Sequence, residues 1–146
     1  MPTYETEQDR KNELKVGSAV ADKLGYRATQ MPRYSPWDFE LFGSDKLQGI
    51  VEVKCKERIR FGQFDDVYLD LSKWVNCLEK AKKNACVPFW LAVRFKNGIY
   101  MTETDIPIPI GCTMEQRDGR EEKVLVLRIG MKTFQPLSYF EQRPLW

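Results

Sequence analysis

Residues 36–54, PWDFELFGSDKLQGIVEVK, constrain this chain more than any other stretch. Read as two strands, they alternate: Trp37, Phe39 and Leu41 take one face, Asp38 and Glu40 the other. After a turn through Gly43-Ser44-Asp45 and Gly49, Val51, Val53 and Cys55 share a face, with Glu52 and Lys54 opposite. Two neighbouring strands, both apolar enough to be buried, thus aim an aspartate, a glutamate and a lysine off one hairpin. Buried charges are costly unless they pair or bind something.

The rest of the chain supplies a frame for that hairpin. A first helix is predicted from about residue 5 to Leu24, where Gly25 stops it. Spacing at 100° puts Gly17, Val20, Ala21 and Leu24 on one stripe, with Glu13 near its centre. Tyr26–Met31 reads as a short strand. Phe61–Asp66 reads as a loop, because Gly62, Gln63, Asp65 and Asp66 interrupt any apolar pattern. A second helix is predicted over about 69–85, with Leu71, Trp74, Val75, Leu78, Ala81 and Ala85 on its buried face.

Phe89–Phe95 is a strong strand, and Asn97-Gly98 predicts a type I′ turn into Ile99–Thr102. The DIPIPIG stretch is excluded from a central strand by its alternate prolines. Asp118-Gly119 predicts a hairpin joining Thr113–Arg117 to Lys123–Ile129, and the aromatic tail PLSYFEQRPLW is expected to pack on the body or on a second subunit. With no repeat or linker, the 146 residues read as a single domain in the order α-β-β-β-α-β-β plus a C-terminal β-hairpin.

Chemistry is bounded by what is missing. The chain has no histidine, which removes Ser-His-Asp and Cys-His hydrolases and imidazole acid–base catalysis. Its four cysteines form no closely spaced ligand pair, so they read as small buried hydrophobes rather than as zinc ligands or disulfides. Mg²⁺ or Mn²⁺ held by carboxylates is then the leading chemistry. Hydrolysis of a phosphodiester suits it, because metal neutralises the phosphate and a nearby lysine can orient the attacking water. Net charge is only +2, but Lys54, Lys56, Arg58 and Arg60 cluster within KCKERIR, and Lys80, Lys82 and Lys83 form a second group. No apolar run approaches the roughly 18–20 residues of a membrane span. The polar start, MPTYETEQDRKNE, is unlike a secretory signal, so a cytoplasmic protein is expected.

An acid followed two residues later by lysine occurs four times, at Asp9, Glu13, Glu52 and Glu121. Only Glu52/Lys54 lies in an apolar strand directly after another strand that begins Pro-x-Asp. On Pro36-Trp37-Asp38 and Glu52-Val53-Lys54 the sequence resembles the PD-(D/E)XK nuclease superfamily, in its small standalone phage or mobile-element type. Trp37 is an extra residue within that motif, and Glu13 matches the family's helix glutamate. The resemblance covers about residues 5–102 and leaves 103–146, an accessory hairpin and apolar tail, without a motif. It implies a restriction-endonuclease-like α/β fold (an α+β mixed sheet) with helices on both faces.

It further implies a Mg²⁺-dependent DNA endonuclease, with Mn²⁺ able to substitute. Asp38 would bridge metal and scissile phosphate, while Glu52 and the Val53 carbonyl complete the protein's coordination. Lys54 would position or deprotonate the water, and Glu13 would support a second metal or its water shell. Lys56, Arg58, Arg60 and Lys73 are expected phosphate contacts, with Gln63 and Tyr68 as further groove residues. The partners implied are DNA and a second copy in a homodimer or higher oligomer, in the host cytoplasm if phage-encoded. Junction-resolvase-like and homing-endonuclease-like specificity both stay open, as does a catalytically silent nucleic-acid-binding module.

Overall fold

The computed structural model describes residues 6–84, 86–104, 110–117 and 119–140, with the side chains of 110–117 excepted. Helix α1 (Glu7–Leu24) opens on a capping box: Thr6 Oγ1 accepts the Asp9 amide at 3.0 Å and Asp9 Oδ2 accepts the Thr6 amide at 3.0 Å. It ends at Gly25, whose φ of 76° is the left-handed cap that glycine tolerates best.

The main sheet runs β1 (Arg27–Gln30), β2 (Phe39–Gly43), β3 (Lys46–Lys56), β5 (Phe89–Phe95), β6 (Gly98–Glu103) and β9 (Gln135–Pro136). Its one parallel pair is β3–β5, joined through helix α2 (Leu71–Lys83). Ser44 and Asp45, both at positive φ, make the tight β2–β3 turn. A second sheet, β4–β8–β7, is built from β4 (Asp66–Asp70), β8 (Arg120–Gly130) and β7 (Ile110–Arg117).

Two cores flank the main sheet. On one face Val16, Val20 and Ala21 of α1 meet Phe39, Leu41, Val51 and Val53. On the other, Cys77 and Ala81 of α2 and Leu69, Leu127 and Ile129 of the second sheet cover Ile50, Leu91 and Val93. Strand β3 is therefore covered on both sides, as a strand paired in parallel at a sheet centre usually is. Leu137 and Phe140 of the tail pack onto the α1 side, with Phe140 edge-on to Trp90 at 5.4 Å.

Several expectations are corrected. Trp37 does not share a face with Phe39 and Leu41: it precedes β2, packs into the α2-side core, and its Nε1 donates to Glu40 at 3.2 Å. Asp66–Asp70 is a strand rather than loop and helix, with Val67 and Leu69 inward, so α2 begins later, at Leu71. The buried stripe of α2 runs through Trp74, Cys77 and Ala81, leaving Val75 exposed. The β5–β6 hairpin forms, but Asn97 keeps a negative φ and the turn is not type I′. Its side chain instead accepts the Phe61 amide at 2.7 Å. Residues 105–109, Ala85, Asp118 and 141–146 lie outside the described residues. No helix among the described residues is long and apolar enough to cross a membrane.

Candidate active site

The site forms where β2 parts from β3. Pairing between them ends with the Asp38 amide donating to the Val51 carbonyl at 3.1 Å, and β2 starts only at Phe39. Beyond that point the Val53 amide has no strand opposite it. Asp38 supplies the acceptor with its side chain, Oδ2 lying 2.7 Å from the Val53 nitrogen. Met31 donates to the Asp38 carbonyl at 2.8 Å, so the residue is held from both sides.

Glu52 follows one residue after Val51, on the opposite face of β3 from Val51 and Val53. It is 3% exposed. Its Oε1 accepts from Lys73 Nζ of α2 at 2.8 Å, and its buried Oε2 has no hydrogen-bond partner. Burial, and after it the Asp38 charge, pushes the Glu52 carboxyl well above the usual carboxylate range. For Lys73, burial alone would lower the pKa, but Glu52 and then Asp38 carry it above its ordinary value. Beneath the pair sits Cys77, whose Sγ lies 3.5 Å from the Pro36 carbonyl and whose thiol burial pushes up.

Glu13, half-buried on α1, joins these groups across a cleft of about 450 Å³ that Glu13, Asp38, Glu52, Val53, Lys54 and Lys73 line together. The four sequence-derived residues Glu13, Asp38, Glu52 and Lys54 thus meet in one cavity. Lys73, expected as a phosphate contact, donates to Glu52 and lines the same cleft. Lys56 and Arg58 line an adjoining shallow groove that reaches Asp9 and Asn12 of α1, and Arg60 lies exposed further along the same loop. Sequence reasoning missed Arg33 and Ser35, which also line the cleft. They sit in an irregular connection where no period marks them.

The donor set fits a hard divalent cation. Asp38 and Glu52 stand side by side, and the buried Oε2 of Glu52 accepts no hydrogen bond, so carboxylate oxygen is available there to a cation. Among the described residues no three His, Cys, Asp or Glu side chains converge as a ligand group. The groups that could hold such an ion are the Asp38/Glu52 pair with the adjoining Val53 backbone. A hard divalent ion that keeps several waters can be held by as few as one or two carboxylates together with substrate phosphate.

A sequence model of the family described as "phage putative PDDEXK endonuclease" matches residues 1–140. No curated protein matches the sequence significantly. Among solved structures, Hjc from Archaeoglobus fulgidus, a Holliday junction resolvase from an archaeal hyperthermophile, is similar with a TM-score of 0.50. The two are 14% identical, over 89% of this chain and 96% of that one. This likeness is one of fold, the restriction-endonuclease-like mixed α/β arrangement.

Proposed function

The chain belongs to the PDDEXK endonuclease family of phages, and on that premise we propose a divalent-metal-dependent DNA endonuclease centred on Glu13, Asp38, Glu52 and Lys54. The observation that carries the reading is their convergence in one cleft at the point where β2 leaves β3. Bound there, Mg²⁺ or Mn²⁺ would neutralise the scissile phosphate and lower the pKa of a water.

The chain's own groups do the rest. Asp38 is fixed by the Val53 amide, so it presents its carboxylate without reorganising. Glu52 contributes Oε2, which accepts no hydrogen bond from the protein. Lys54 lies two residues on along β3 and lines the same cleft, where its ammonium orients the water and stabilises charge growing on the phosphorus oxygens. Glu13, on the facing helix, lines the same cleft and would support the ion's bound water. Lys56, Arg58 and Arg60 contact flanking phosphates. A homodimer would bring two such centres to two strands, in the cytoplasm of the host cell.

The test is cleavage of single-stranded, duplex, flap and four-way-junction DNA in Mg²⁺, Mn²⁺ or EDTA. Cutting should require metal. Asp38→Ala should abolish it, and Lys54→Ala should slow it by about 10²–10³-fold. Cutting in EDTA, or unimpaired cutting by both variants, would overturn the assignment.

A further inference from the structure

A second cavity opens beside the catalytic cleft, of about 390 Å³, and the two share Glu52, Lys54 and Lys73 as a common wall. Beyond that wall its lining changes character. There Ile59, Phe64, Tyr68, Val126 and Met131 contribute apolar surface between charged groups. Phe64 and Tyr68 are among the large hydrophobic side chains left exposed, at 54% and 44%. Exposed aromatics at the mouth of a cavity that opens onto a reaction centre can be covered by the substrate itself.

Charge narrows what can enter. The lysines, Lys54 and Lys56 on β3 and Lys73 on α2, stand on the side of the catalytic cleft. The far side, β4, carries Asp66 and Asp70. Asp66 accepts from Arg128 at 3.1 Å, and Asp70 caps α2 through the Ser72 amide at 3.0 Å, so both are built into the wall. A phosphate is favoured beside the lysines and repelled from β4. The group that satisfies both sides is uncharged and flat, has hydrogen-bonding edges, and is tethered to a phosphate.

We propose that this cavity takes the nucleobase flanking the scissile phosphate, unstacked from its neighbours and sandwiched against Phe64 and Tyr68. A base paired within a duplex cannot reach it, so the enzyme selects DNA with an unpaired nucleotide at the cut: a bulge, a flap or the open centre of a branch. This rests on the nuclease reading above and adds its substrate class. Stacking of one base on aromatic side chains is enough to set such a preference.

The test is the affinity, in EDTA, of a duplex carrying a one-nucleotide bulge against the same duplex with an abasic bulge. Wild type should bind the base-containing bulge roughly 10-fold more tightly. The Phe64→Ala/Tyr68→Ala variant should bring the ratio to about one while keeping a cooperative melting transition, since both side chains are about half exposed. A wild-type ratio near one, no binding to either duplex, or a variant that keeps the ratio would overturn the proposal. Were a second copy of the chain the occupant, the variant would sediment differently and leave the ratio intact, which also overturns it. Because binding is read without metal, a protein that shows the ratio yet cuts nothing would sink the nuclease reading alone.

Discussion

Glu52 and Lys73 show how much one pair of side chains can decide. Glu52 binds its proton more tightly folded than unfolded. Its contribution to stability is thus complete below its ordinary pKa of 4.5 and is lost as pH rises through the raised value. In EDTA, Glu52→Gln should therefore gain stability relative to wild type as pH rises from 4 to 9, measured as the difference in melting temperature. A difference that stays flat or shrinks would refute this. Lys73→Met leaves the buried carboxylate without its ion-pair partner. Removing one partner of a fully buried pair costs about 3–5 kcal/mol. Lys73 is 36% exposed, so roughly 2 kcal/mol is expected in urea titrations of the metal-free protein. Saturating Mg²⁺ should narrow the gap. The sequence offered Lys73 only as a phosphate contact; its partner Glu52 lies on β3, and packing of α2 against the sheet brings the two within 2.8 Å.

At the scale of elements, local patterning predicted some strands and helices and missed another. Helix α1 was legible because its apolar stripe and the stop at Gly25 agree. The stripe also explains Gly17: a Cβ there would meet the Phe39 ring, so helix and sheet approach as closely as glycine allows. Gly17→Ala should destabilise by about 1–3 kcal/mol, seen as a lower urea midpoint with an unchanged slope. Strand β4 was not legible. Val67, Tyr68 and Leu69 follow a glycine- and aspartate-rich loop and fit the start of a helix equally well. What makes them a strand is pairing with β8, where Val67 lies opposite Ile129 and Leu69 opposite Leu127. The turn after β5 is a similar case. Asn97-Gly98 signalled a hairpin correctly, but the demand of the Phe61 amide for an acceptor sets the Asn97 side chain.

For the whole molecule, the region after residue 103 carries no motif, yet it completes a core. Leu127, Ile129, Met131 and Phe134 are all buried on the α2 side of the main sheet. Burying each such side chain is worth roughly 1.5–3 kcal/mol. Together they rival the entire stability of an ordinary domain, about 5–15 kcal/mol. A chain ending at Thr104 should therefore lose cooperative thermal unfolding by circular dichroism, whereas the chain through Phe140 should keep it. The sequence by itself marked the presence of two helices, the alternation of β2 from Phe39 and of β3, and the candidates Glu13, Asp38, Glu52 and Lys54, because these follow from period, local turn chemistry and a short motif. Tertiary structure alone decided that β2 parts from β3 at Asp38, that Lys73 turns inward to Glu52, and that β4 and β8 wall a second cavity beside the first. Each depends on contacts between residues far apart in the chain, and no local period records which distant segments will meet.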